Sequence, residues 1–203
     1  MAKKEKMVFK TTDQIFYDES NIRGQMMRYN ANKLSFNLGV LGLAFSILAA
    51  FICLNSVQWN FSVTIKILGN IAILLFGFLS IEKVKSYSLE YSYLLVGIGS
   101  VCALRIFWIP MKLITLYTRY LANPTDVEAN NFLGKVVKDT RTITGDVPST
   151  IAYLPQSGTF RGTVAMVLLV LAAVAFISAG VIGIIKAKHY HAYMSTQDTT
   201  KGV

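Results

Sequence analysis

Lys66 and Arg105 are the only charged side chains inside four long apolar stretches of this chain, 34–54, 65–81, 93–109 and 164–185, none of which contains an Asp or Glu. A charge at the centre of a bilayer costs at least about 2.5 to 3.5 kcal/mol, so each of the two is a candidate for function. Asn70 follows Lys66 by one helical turn, and Lys112 and Arg119 follow Arg105 at intervals of seven residues, which on a helix keeps them near one stripe. Such a set is suited to holding an anionic group, a lipid phosphate or a partner's carboxylate, and has nothing with which to turn it over. The competing reading is anchoring. Lys66 begins its stretch, Arg105 lies about 6 Å from the end of its own by helical rise, and long basic side chains reach an interface over that distance. With no acid inside the stretches, any negative partner comes from outside the chain or from the long connection ahead of the last stretch.

Other reactive residues give little. His189 and His191 are the only histidines; two positions apart they point in nearly opposite directions on a helix, so a shared metal is not expected. Cys53 and Cys102 form no CxxC pair and are expected to have no basic neighbour close enough to activate a thiol, so they read as small apolar residues in helix packing. Asn60, Phe61, Ser62 is a glycosylation triplet too close to an apolar stretch to carry weight. No phosphate loop, GxSxG, HExxH or deaminase pattern is present, and general acid or base work would fall to Asp126, Glu128, Asp139 and Asp146. The expectation is a protein that is not an enzyme, with no cofactor and no metal.

The elements that position these residues are membrane helices. The four stretches run 21, 17, 17 and 22 residues, near the 20 or so needed to cross about 30 Å of hydrocarbon, and 53% of the chain is hydrophobic. The fold class is therefore an all-α membrane protein with four transmembrane helices. The 33 residues ahead of the first stretch are too many and too polar for a cleaved signal, and their mixture of charged and apolar residues is compatible with a helix lying on the membrane or with a solvated lead-in. The net charge of +9 sits beside the stretches, where orientation and headgroups explain it without nucleic acid. Twelve Lys or Arg fall on the side of the two termini and none between 55 and 64, so both termini are expected to be cytoplasmic, although the connection 110–163 carries six more.

Within that connection, PMKLITLYTRYL reads as a short interfacial helix, or as a continuation of the third span to about Tyr117. Thr125, Asp126, Val127 and Glu128 form a capping-box pattern that begins a helix carrying Val127, Phe132, Leu133, Val136 and Val137. Gly145, Pro148, Pro155 and Gly158 then turn the chain, making 110–163 a small ordered extracytoplasmic cap. Aromatic residues such as Trp59, Tyr93, Trp108 and Tyr190 lie at span ends, as in an interfacial belt. Gly42, Ser46 and Ala50 in the first span and Ala175, Ala179 and Gly183 in the fourth repeat every four residues, stripes that serve either the internal bundle or a partner. The functional expectation is a non-catalytic integral subunit, structural or accessory, of a larger membrane assembly that contacts other subunits or a second copy and anionic lipid headgroups. The alternative is a transporter, channel or lipid-handling protein that binds an anionic group at the outer leaflet through Lys66, Asn70, Arg105, Lys112 and Arg119.

Overall fold

The computed structural model describes residues 32–141 and 154–200, side chains at 193, 194 and 196–200 excepted; the expected N-terminal surface helix and the turns at Gly145 and Pro148 lie outside the described residues. Helix α1 spans Lys33–Leu54, α2 Phe61–Val84 and α3 Leu89–Leu104. A single 3-10 turn follows at Arg105–Phe107, then α4 at Pro110–Ala122, α5 at Val127–Phe132, α6 at Lys135–Lys138 and α7 at Gly158–Thr200. Four segments, 33–54, 61–84, 89–122 and 158–192, are long and apolar enough to cross a membrane. The chain is thus an integral, multi-pass helical membrane protein.

The helices reach beyond the apolar stretches because a helix satisfies its own backbone in water as well as in lipid. Asn60 extends α2 backward to Phe61: its side chain accepts the Val63 N–H at 2.9 Å, a cap that the glycosylation reading of the triplet overlooks. At the other end α7 continues past Ile185 through the expected polar tail, where Tyr190 stacks on Tyr87 with ring centroids 4.8 Å apart. Tyr87 itself holds φ of 58° in the turn between α2 and α3, a conformation that costs a side-chain-bearing residue and is kept here by burial of the ring. Asn32 ties the same end together by donating to the Val84 carbonyl at 2.7 Å.

The third span breaks at Pro110, which has no N–H to continue the ladder and would clash with the carbonyl four residues before it, but which starts a new helix well. The break does not end its packing. Gly180 closes on the Ser92 carbonyl, Gly99 on that of Ala173, Gly162 on that of Pro110 and Gly158 on Tyr117, so α3 and α4 run antiparallel to α7 in steady register. Leu113, Leu116 and Tyr117 of α4 are buried in this contact. PMKLITLYTRYL is helical and packs along α7, as the segment before the break does. The bundle has two cores. Ile81, Val84, Leu95, Ile98 and Phe176 fill the end near the termini, and Cys53, Val63, Ile109, Leu113, Tyr117 and Leu133 fill the end near the connection.

The connection is pinned to that second end. Gln58 N–H donates to the Phe132 carbonyl at 2.8 Å and Gly134 N–H to that of Ser56 at 2.9 Å, while Phe132, Leu133 and Val137 are buried beneath. Its cap residue is Asp126, not Thr125: the Asp126 carboxylate accepts the N–H groups of Glu128 and Ala129, and Thr125 donates its hydroxyl to Asn123. Val127 and Val136, expected among the apolar anchors, are exposed.

Candidate functional site

Arg105 ends the first half of the broken span and is 4% exposed. Its side chain therefore does not reach out to an interface; it turns inward and donates from Nη1 to Ser46 Oγ at 2.7 Å and to Cys102 Sγ at 3.8 Å. Ser46 belongs to the small-residue stripe of α1, so one turn of that stripe serves as the acceptor for the buried charge. Cys102 thus has a basic neighbour after all, contrary to the expectation for both cysteines: Arg105 lies three residues on, a spacing that shares one helical face. Both cysteines are free and buried. No acid among the described residues lies within 4 Å of Arg105.

Beside this arginine is a cavity of about 10 Å³ lined by Ala49, Ala50, Cys53, Asn70, Trp108, Ile109, Pro110 and Leu169 as well as Arg105. Asn70 reaches it from α2, buried to 7% exposure, and its Oδ1 has no hydrogen-bond partner among the described residues. A buried amide oxygen left unpaired costs about 1 to 3 kcal/mol, so this atom marks a place where something polar belongs.

Lys66 lies one turn from Asn70 on α2 but opens into a different space. It lines a cleft of about 210 Å³ with Asn60, Ser62, Lys112, Glu128, Asn131 and Phe132. Lys112 pairs with Glu128 at 3.2 Å and stands 5.4 Å over the Phe132 ring. Arg119 is held by Asp126 at 2.8 Å and Glu128 at 3.0 Å. The expected group of five therefore divides into an inner pair, Arg105 and Asn70, and a rim of Lys66, Lys112 and Arg119. The acids that meet the rim, Asp126 and Glu128, come from the connection, one of the two sources expected for a negative partner. Lys66 has no acid within 4 Å among the described residues, and it is the uncompensated charge of the cleft.

Electrostatics at the rim are set by contacts in the open. The hydrogen bond from the Ala129 N–H holds the Asp126 carboxyl below its usual range against the opposing effect of desolvation, with help from Arg119. Lys112, then Arg119, hold Glu128 below its usual range in the same way.

The packing stripes face inward. Gly42 lies against Phe176 and the Ala172 carbonyl, Gly183 against Ser92 and Val84, and Ser35 donates to the Ala179 carbonyl. Ala50 and Ala175 are buried as well. Comparison with known protein families, with curated proteins and with solved structures finds no match to this chain.

Proposed function

We propose that this protein is a non-catalytic membrane protein that holds the phosphate of an anionic lipid headgroup in the cleft between α2 and α4. The observation that carries this reading is the unpaired Lys66, set beside Lys112 in a 210 Å³ cleft whose other walls offer the polar side chains of Asn60, Ser62 and Asn131. Two ammonium groups against one carboxylate leave the cleft cationic, and a phosphate oxygen is the acceptor such donors take best. The volume suits a headgroup and is below that of most sites for drug-sized ligands. In this reading the connection 110–163 carries an extracytoplasmic cap, both termini are cytoplasmic, and the cleft opens at the outer leaflet. Native mass spectrometry of the detergent-purified protein tests it. Retained phospholipid should be enriched in anionic species, and Lys66→Gln should abolish the enrichment; equal retention of zwitterionic lipid, or no effect of the substitution, would defeat it.

A second reading, a structural or accessory subunit of a larger assembly, draws on α2, where Ile65, Leu68, Ile71, Leu75, Phe76 and Leu79 are exposed. The small-residue stripes are occupied within the chain, so a partner would meet this larger apolar face. Mass determination of the particle extracted in mild detergent separates the two, since a clean monomer with no co-purifying protein counts against the subunit.

A further inference from the structure

The guanidinium of Arg105 is a charge in search of a partner that the described chain does not supply, and its surroundings restrict what that partner is. The Nε and Nη2 groups have no acceptor among the described residues, since Nη1 makes both of the side chain's hydrogen bonds. At 4% exposure the group offers almost no surface to a carboxylate borne on a neighbouring helix, and the partly open hollow beside it leaves about 10 Å³, roughly one particle the size of a water molecule and far too little for a phosphate headgroup. What can enter must be small. What the uncompensated charge favours must be negative, because a cation in hydrocarbon without a counter-charge is costly.

Asn70 is the second, independent sign of a ligand: an amide 93% buried, lining the same cavity, with no hydrogen bond made by its side chain among the described residues. A half-turn of its terminal amide presents either oxygen or N–H₂ to the cavity, so it can donate to an anion held by Arg105. Trp108 and the N-terminal turn of α4 at Pro110 complete the wall, and the dipole of that thirteen-residue helix adds positive potential at its start. We propose that the break in the third span is a binding site for one small monovalent inorganic anion, of about fluoride size, held by Arg105 and Asn70 between α1, α2 and the 3-10 turn. The site is distinct from the Lys66 cleft and does not depend on the lipid reading.

The test is thermal unfolding of the purified full-length protein in a non-ionic detergent at fixed pH and ionic strength, with fluoride, chloride, bromide or iodide replacing gluconate. A saturable rise in melting temperature is expected with fluoride, weakening through chloride and bromide to iodide as the ion outgrows the cavity. In Asn70→Ala the half-saturating concentration should rise about ten-fold, the effect of one hydrogen bond to a charged partner. In Arg105→Leu the dependence on anion should vanish, while Lys66→Gln should keep it. Identical melting in every anion means the cavity holds water or nothing and overturns the proposal, as does an anion effect that survives Arg105→Leu or is lost in Lys66→Gln. If Arg105→Leu fails to fold, Asn70→Ala decides alone, and an unchanged half-saturation overturns the site.

Discussion

Arg105 Nη1 lies 2.7 Å from Ser46 Oγ, a hydrogen bond that joins the third span to the first across 59 residues of sequence. Bonds to a charged group contribute about 1.5 to 3 kcal/mol in water-soluble proteins, whereas polar pairs in membrane bundles average nearer 0.6, because the separated helices also find partners in lipid. The depth of this pair and the lack of an acid nearby put it toward the upper end of the membrane range. Ser46→Ala should cost about 1 to 2 kcal/mol, and a double-mutant cycle with Arg105→Leu should recover most of that as coupling. Unfolding in mixed micelles measures it, and a coupling indistinguishable from zero would show that the contact contributes nothing to stability.

Two glycines separate close packing from mere composition. A Cβ on Gly180 would lie 2.8 Å from the Ser92 carbonyl oxygen, whereas one on Gly97 would meet nothing within 4 Å. Alanine gains up to about 1 kcal/mol over glycine inside a helix, so Gly97→Ala should be neutral or stabilising. Gly180→Ala must push α7 off α3 and should lose about 1 to 3 kcal/mol despite the same local gain. Melting temperatures of the two variants should therefore move in opposite directions, or at least differ clearly; equal shifts would place the helices farther apart than they stand here.

The four spans were readable from sequence because burial in lipid demands apolar blocks of fixed length, and nothing else in a chain of this size looks like them. Their ends were less readable. Phe61 to Thr64 and Lys186 to Thr200 are helical for reasons the apolar blocks do not record, the Asn60 cap and the packing of Tyr190 on Tyr87. Pro110 left two fates open for the third span because proline suits a helix start whether the new helix lies flat or continues. Arg105 was conspicuous as a charge, but its acceptor was not, since Ser46 had already been explained as a small packing residue. Lys66 and Asn70, one turn apart, looked like one group. They are divided because the cleft rim is built by residues of the connection, whose contacts are tertiary and leave no periodic trace.

The acids of the connection should make its docking sensitive to pH. Asp126 and Glu128 both titrate below their ordinary range in the folded protein, held there by Ala129 N–H and by Lys112 with Arg119. A depressed folded pKa means stability that is present above the unfolded value of about 4 and lost as pH falls through the folded one. Hydrogen exchange of 123–138, corrected for intrinsic rate, should stay slow down to about pH 4 and quicken below it. Asp126→Asn keeps a capping side chain, so pairing it with Glu128→Gln removes charge without removing the cap. That double variant should exchange faster at neutral pH and respond little to acid; an acid response as large as the parent's would assign the sensitivity elsewhere.

The proposed orientation rests on the basic residues near the termini, and the six in 110–163 count against it. The connection answers this objection itself. Its described part is folded, with backbone bonds to Ser56 and Gln58 and buried Phe132, Leu133 and Val137, and at 54 residues the connection is near the length of about 60 at which the charge rule weakens. Cys53 and Cys102 are both buried, so single cysteines introduced at exposed Trp59 and Lys188 can report orientation against a quiet background. With a membrane-impermeant maleimide on intact cells, Trp59→Cys should label and Lys188→Cys only after permeabilisation. The reverse pattern would move the Lys66 cleft to the cytoplasmic leaflet, where anionic lipid is plentiful and basic residues contribute about 1 kcal/mol each. It would change the source of the headgroup and leave the chemistry of the cleft as it is.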